Sequence, residues 1–309
     1  MSYLITGGAG FIGANLVRHL LGPGSSIRIL DNLSAGRAGD LEGLPVELVV
    51  GDIRDEGLAA QAVADRDVVI HLAAHTNVVQ SVADPALSLD VNVRGLFNLL
   101  RASVAAGVRR FLFASTGGAI VGEVEPPVHE EMAPHPLSPY GASKLAGEGY
   151  CSAFWGSYGL RTVSLRFSNI YGPFSYHKGS VIAKFFRQVQ AGQPLTVFGD
   201  GAQSRDFLYV GDLCRAIAAA VMADAPFGQA IQLGSGTETS INALVELMRQ
   251  VVGEDRFPEV NYAPPRPGEV RRNFVSIARA RRLLGFAPTT DLAAGLRQTL
   301  AWFEEQGQI

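Results

Sequence analysis

Thr6-Gly7-Gly8-Ala9-Gly10-Phe11-Ile12-Gly13 is the stretch that decides the fold. It follows a short apolar run, Tyr3 to Thr6, and opens into an amphipathic pattern, Phe11 to Leu21. Glycines spaced in this way join a strand to a helix. Gly7 and Gly10 allow a tight turn and close backbone approach to a pyrophosphate, and Gly13 allows close packing of the helix. The N–H groups of the first helical turn, around Phe11 and Ile12, then face the anion.

Working outward, the second strand ends in Ile29-Leu30-Asp31-Asn32. A carboxylate at Asp31 can accept hydrogen bonds from both ribose hydroxyls of an adenosine and would repel a 2′-phosphate. NAD is therefore expected in preference to NADP, with Arg37 as the nearby cation that argues the other way. Gly51-Asp52-Ile53 follows the third strand, where Asp52 can receive the adenine amino group. His71-Leu72-Ala73-Ala74-His75 ends the fourth with small residues that let a cofactor lie close.

The runs Tyr3 to Thr6, Ile27 to Leu30, Val46 to Val50, Val68 to His71 and Arg110 to Ala114 read as buried parallel strands. Helical patterns at 84–106 and 138–158 lie between or after them. The expected class is α/β, a Rossmann-type doubly wound parallel sheet with ligands at the strand C-termini, followed by a smaller C-terminal substrate-binding domain. The regular alternation weakens after Gly172. Residues 1–172 are expected to form the cofactor domain, with part of 207–234 packing back on it, and 173–309 mainly the substrate domain. Helices are expected at 241–252 and 292–303, and Val210 to Met222 as the segment that returns to the first sheet.

The composition narrows the function. The formal charge is -3, from 26 basic and 29 acidic residues, which gives no basis for expecting nucleic acid or an anionic membrane as partner. No apolar run is long enough to span a bilayer. Cys151 and Cys214 stand far apart and the six histidines form no ligand-like cluster, so no metal is expected and the thiols fit a reducing, cytoplasmic setting.

The chemical signal is Ser138-Pro139-Tyr140-Gly141-Ala142-Ser143-Lys144. Tyr140 and Lys144, four apart, share one helix face. An ammonium and a cationic nicotinamide near the phenol would favour phenolate and bring it toward general-base use. Ser115 and Thr116, at the end of the fifth strand, offer hydroxyls for the reacting oxygen, with Thr116 in the main role and Ser115 assisting.

These features, together with Arg166-Phe167-Ser168-Asn169-Ile170-Tyr171-Gly172-Pro173, resemble the extended short-chain dehydrogenase/reductases, in particular the UDP-glucose/UDP-N-acetylglucosamine 4-epimerase branch of the NAD-dependent epimerase/dehydratases. The resemblance extends to Phe198-Gly199-Asp200-Gly201-Ala202-Gln203-Ser204-Arg205-Asp206-Phe207 and Arg266-Pro267-Gly268-Glu269, and so covers nearly the whole chain. It implies that Asn92, Tyr140 and Lys144 meet the cofactor. It also implies that Asn169 and Arg205 meet the sugar phosphates, Arg266 or Glu269 the phosphate or the uridine ribose, and Val181 the substrate. Asn273 aligns with the position that limits bulk near the sugar C2. A UDP-sugar substrate and a homodimer are further implications, the latter through the helices at 84–106 and 138–158.

Within that family, C4 epimerisation needs one base, one hydroxyl donor and NAD. A 4,6-dehydratase carries an Asp-Glu pair after its catalytic threonine, where this chain has Gly117-Gly118, so epimerisation is the favoured reading. A binding or regulatory module without turnover would be expected to lose the tyrosine or the lysine. Two departures stand out. The family's Val-Tyr-Gly is here Ile120-Val121-Gly122, which removes a ring near the site. The 174–179 loop carries Tyr176, His177 and Lys178, read either as contacts to the sugar, including a uronate carboxylate, or as an exposed polar loop.

Overall fold

The computed structural model describes residues 1–224, 227–265 and 270–306. Six strands run in chain order as β1 (Ser2–Thr6), β2 (Ser26–Asp31), β3 (Glu47–Val50), β4 (Val68–His71), β5 (Arg110–Thr116) and β6 (Thr162–Phe167). With Gln229–Leu233 they form one seven-stranded sheet in the order β3-β2-β1-β4-β5-β6 and then Gln229–Leu233. Every pairing in it is parallel. The order reverses between β1 and β4, which opens a crevice at their C-terminal ends. There Thr6 Oγ1 and His71 Nδ1 lie 2.7 Å apart and hold the two strands together.

The two outermost strands on the β6 side escape a reading by apolar runs because each carries polar residues inside the fold. Ser164 and Arg166 of β6, and Gln232 of the seventh strand, are all nearly inaccessible. The expected helix over 84–106 is real but has an internal irregularity. Pro85–Leu89 and Leu96–Ala105 are α-helical, and Asp90–Gly95 between them is a π-helical turn. That turn brings the side chain of Asn92 inward, to 1% exposure.

The helix Val210–Met222 packs in the core of the sheet through Leu213 and Ile217. A separate apolar cluster forms where the helices Val181–Gln190, Ile241–Val252 and Leu292–Glu305 bring Phe186, Met248 and Phe303 together. Short strand pairs lie along the C-terminal edge of the main sheet, Asn169–Tyr171 with Phe207–Tyr209, and Ser204–Arg205 with Arg272–Asn273. Asp206, fully buried between them, accepts hydrogen bonds from the Ser235, Gly236 and Val275 amides and the Ser235 hydroxyl. This one carboxylate fixes the segments that carry Asn169, Arg205 and Asn273.

Candidate active site

The glycine turn is built by close contact. Gly7 adopts φ 70°, and a Cβ there would lie 2.6 Å from the Ala73 amide nitrogen. A Cβ on Gly13 would overlap the Gly7 carbonyl, so Gly13 is what lets the helix Phe11–Leu20 start against the turn. Asp31 is almost buried; Oδ2 accepts from the Ala9 amide at 2.9 Å and Oδ1 from the Leu33 amide at 2.8 Å. Each oxygen keeps a further lone pair for a ribose hydroxyl. Asn32 donates to Asp52, which is also gripped by Arg54 at 2.8 Å. That hydrogen bonding holds the Asp52 carboxyl down at about 2.

Thr116, the last residue of β5, lies beside Tyr140, which stands in the first turn of the helix Pro139–Tyr158, close enough for its side chain to act on the phenol. Ser138 caps that helix by accepting from the Gly141 amide. One turn on, Lys144 is buried, donates from Nζ to the Ala114 carbonyl at 2.9 Å and lies 4.8 Å from the Phe113 ring centre. Burial brings the Lys144 ammonium down to about 8 and pushes the Tyr140 phenol up to about 12, the Thr116 side chain opposing the latter. The expected lowering of the phenol by Lys144 is therefore not what the chain alone produces. Burial is the larger influence on the phenol, and the Lys144 ammonium is bonded to the Ala114 carbonyl.

Successive side chains of a strand point to opposite faces, so Ser115 cannot join Thr116. Its hydroxyl is 4% exposed and donates to Glu148 Oε1 at 2.6 Å, which corrects its expected assisting role. Glu148 sits one turn beyond Lys144 and takes a forked pair of bonds from Arg166, at 2.8 and 2.7 Å. Asn92 is also corrected. Its Oδ1 accepts from the His75 amide, and its Nδ2 donates to the His75 carbonyl and the Ser143 hydroxyl. It therefore positions the end of β4 against the catalytic helix and presents no surface to a cofactor. Ile53 is likewise buried, against Gly95.

A cavity beside this crevice is lined by Asn169, Val181, Lys184, Phe198, Gln203 and Arg205. Arg205 Nη1 donates to the Ser204 and Val270 carbonyls at 2.7 and 2.8 Å. Asp200 makes the expected turn, accepting from the Ala202 amide, with Gly201 at φ 71°. Gly117 and Gly118 face the side-chain ends of Gln232 and Asn273, which would have to move to admit a side chain at either position. A Cβ on Gly117 would lie 2.6 Å from Gln232 Oε1, and one on Gly118 would overlap the Asn273 amide.

A family model described as the NAD dependent epimerase/dehydratase family matches residues 3–234. The chain belongs to that family. It is 37% identical to a UDP-glucose 4-epimerase of Mycolicibacterium smegmatis, over all of both chains. It is also 37% identical to a dTDP-glucose 4,6-dehydratase of Streptomyces griseus, over 98% of this chain and 94% of that one. A UDP-glucose 4-epimerase of Thermotoga maritima, solved with UDP-glucose, superposes with a TM-score of 0.93 at 36% identity, all of each chain being covered.

NAD is the cofactor of this family member, and the residues fit it. The turn at Gly7 and Gly10 is open to a pyrophosphate, Asp31 stands at the adenosine end, and Leu72, Ala73, Ala74 and His75 follow β4 beside the turn. Among the described residues no group of side chains is arranged to hold a metal, and no helix is long and apolar enough to cross a membrane. Arg266 and Glu269 lie outside the described residues.

Val121 is fully buried in the core of the sheet, so the missing aromatic ring alters packing beside the site rather than its surface. The 174–179 loop is not simply an exposed polar loop. Lys178 donates to the Ile170 carbonyl at 2.7 Å, lies 4.8 Å from the Phe11 ring centre and is brought down to about 8 by burial. His177 is exposed, 3.4 Å from Arg37. Glu148, Lys184 and Gln232 went unread in the sequence. For Glu148 a signal existed, its spacing of four from Lys144 on one helix face.

Proposed function

We propose that the protein interconverts the C4 epimers of a UDP-hexose, with residues 1–172 holding NAD and most of 173–309 holding the nucleotide sugar. The observation that carries this reading is Thr116 beside Tyr140 and Lys144, next to Gly117-Gly118, where the chain carries neither the acid nor the base that dehydration needs. NAD, when bound, supplies the hydride acceptor for C4 and a positive charge beside the phenol. Tyr140 takes the proton from O4 and later returns it, Thr116 holds that oxygen, and Lys144 keeps a cation one helical turn away. Asn169 and Arg205 hold the sugar phosphates, and the sugar turns between the two hydride transfers. Incubation with UDP-glucose and UDP-N-acetylglucosamine, followed by chromatography of the nucleotide sugars, should show a 4-epimer of at least one; no epimer from either contradicts the reading.

Asn273 stands against Gly118, at the step between the catalytic strand and Arg205, its strand partner. A side chain of this size leaves room for an N-acetyl group at C2. Asn273→Tyr should abolish turnover of UDP-N-acetylglucosamine while keeping that of UDP-glucose within several-fold. Equal loss on both would show that position 273 does not sense C2.

The helices on one flank expose Val79, Val82, Leu89 and Tyr158, at 79, 64, 59 and 63%. Leu89 and Tyr158 lie on the segments expected to pair across a two-fold axis and Val79 and Val82 on the short helix Val78–Ala83 just before them, and we propose that a second copy of the chain covers this face. Sedimentation equilibrium should give a dimer, and a monomer at micromolar concentration would contradict the pairing.

A further inference from the structure

We infer that Lys184 is a second cation for the nucleotide diphosphate, acting with Arg205 in the same cavity. The inference rests on the nucleotide-sugar reading and deepens it. Lys184 interrupts an otherwise apolar run, Val181-Ile182-Ala183-Lys184-Phe185-Phe186, in the helix Val181–Gln190. Its neighbours Ile182, Ala183, Phe185 and Phe186 are buried in the second apolar cluster, and Lys184 lines, with Ile182 and Phe185, the cavity that Asn169 and Arg205 also line.

Lys184 is partly buried among these apolar residues. Here the ammonium lies 5.2 Å from the centre of the Phe198 ring, within range of a cation–π contact. Phe198 lines the same cavity and offers the planar surface on which a pyrimidine can stack. A base arriving there would displace the ammonium from the ring, and the long flexible stem allows it to swing to a nearby phosphate oxygen. One turn before it, Ser180 begins the helix without a side-chain cap bond, and its hydroxyl is buried with no hydrogen-bond partner. Ser180 and Lys184, four apart, share the helix face toward the cavity.

A diphosphate in a sugar nucleotide carries two negative charges, and Arg205 lines the same cavity as Lys184. Each charge-assisted bond to a phosphate is worth about 10- to 100-fold in affinity.

The test is calorimetric titration of the NAD-loaded protein and of Lys184→Met with UDP, UMP and uridine, with thermal unfolding as a check on folding. Loss of at least about 10-fold in UDP affinity in the variant, with uridine binding unchanged and UMP between, is the expected result. Lys184→Arg should restore most of it. Unchanged UDP binding would overturn the inference, and so would an equal loss for UDP and uridine, which would assign Lys184 to the base. If the unaltered protein binds neither UDP nor dTDP, the nucleotide-sugar reading itself has failed and this inference with it. Binding of dTDP alone would correct only the nucleotide, and the same comparison would then be made with dTDP and thymidine.

Discussion

Tyr140→Phe should lower kcat by about 10²- to 10⁴-fold while leaving UDP affinity, NAD content and thermal stability nearly unchanged. The phenol oxygen is the only group the substitution removes, and its described neighbour is the Thr116 side chain, which a phenylalanine leaves free to bond the substrate oxygen. The ring itself stays, so the first turn of the catalytic helix keeps its packing. At about 1.4 kcal/mol per decade, the loss corresponds to roughly 3–5 kcal/mol of transition-state stabilisation. Retention of a tenth or more of the activity would show that another group moves the proton.

Arg166→Met should destabilise the fold by about 3–5 kcal/mol, read as a lower urea midpoint at unchanged slope. The Arg166 and Glu148 side chains are 5 and 11% exposed and joined by two short bonds. Removing the guanidinium leaves a buried carboxylate whose remaining described donor is Ser115. The double variant Glu148→Leu/Arg166→Met, which buries no charge, should recover most of the loss. A single-variant effect below about 1 kcal/mol would mean that water solvates Glu148 and that the network is not a structural tie. Because Glu148 lies one turn beyond Lys144 and its charge helps keep that ammonium protonated, the double variant, which removes the carboxylate, should reduce activity even where it recovers stability.

The fold was legible where side chains obey local rules. The glycine spacing placed the first turn, and Asp31 marked the end of the second strand. The first five strands read directly because apolar residues fill them. The sixth and seventh did not, because Arg166 and Gln232 occupy buried positions that only tertiary neighbours make tolerable. Residue spacing grouped Tyr140 with Lys144 correctly, yet it could not show that Lys144 bonds a backbone carbonyl or that burial raises the phenol. The pairing of Thr116 with Tyr140 and the diversion of Ser115 to Glu148 follow from strand alternation once the register of β5 is known. Asn92 was singled out for the cofactor and proves to act on the protein itself, because a π-helical turn, invisible in residue pattern, redirects its amide.

The central claim is that hydride leaves C4 and returns to C4, and UDP-glucose carrying deuterium at C4 tests it most directly. The sugar product, followed by proton NMR and mass spectrometry, should be the 4-epimer with its deuterium still on C4, and none should form with Tyr140→Phe. Deuterium in a new C6 methyl group beside a 4-keto carbon would show dehydration and contradict the account.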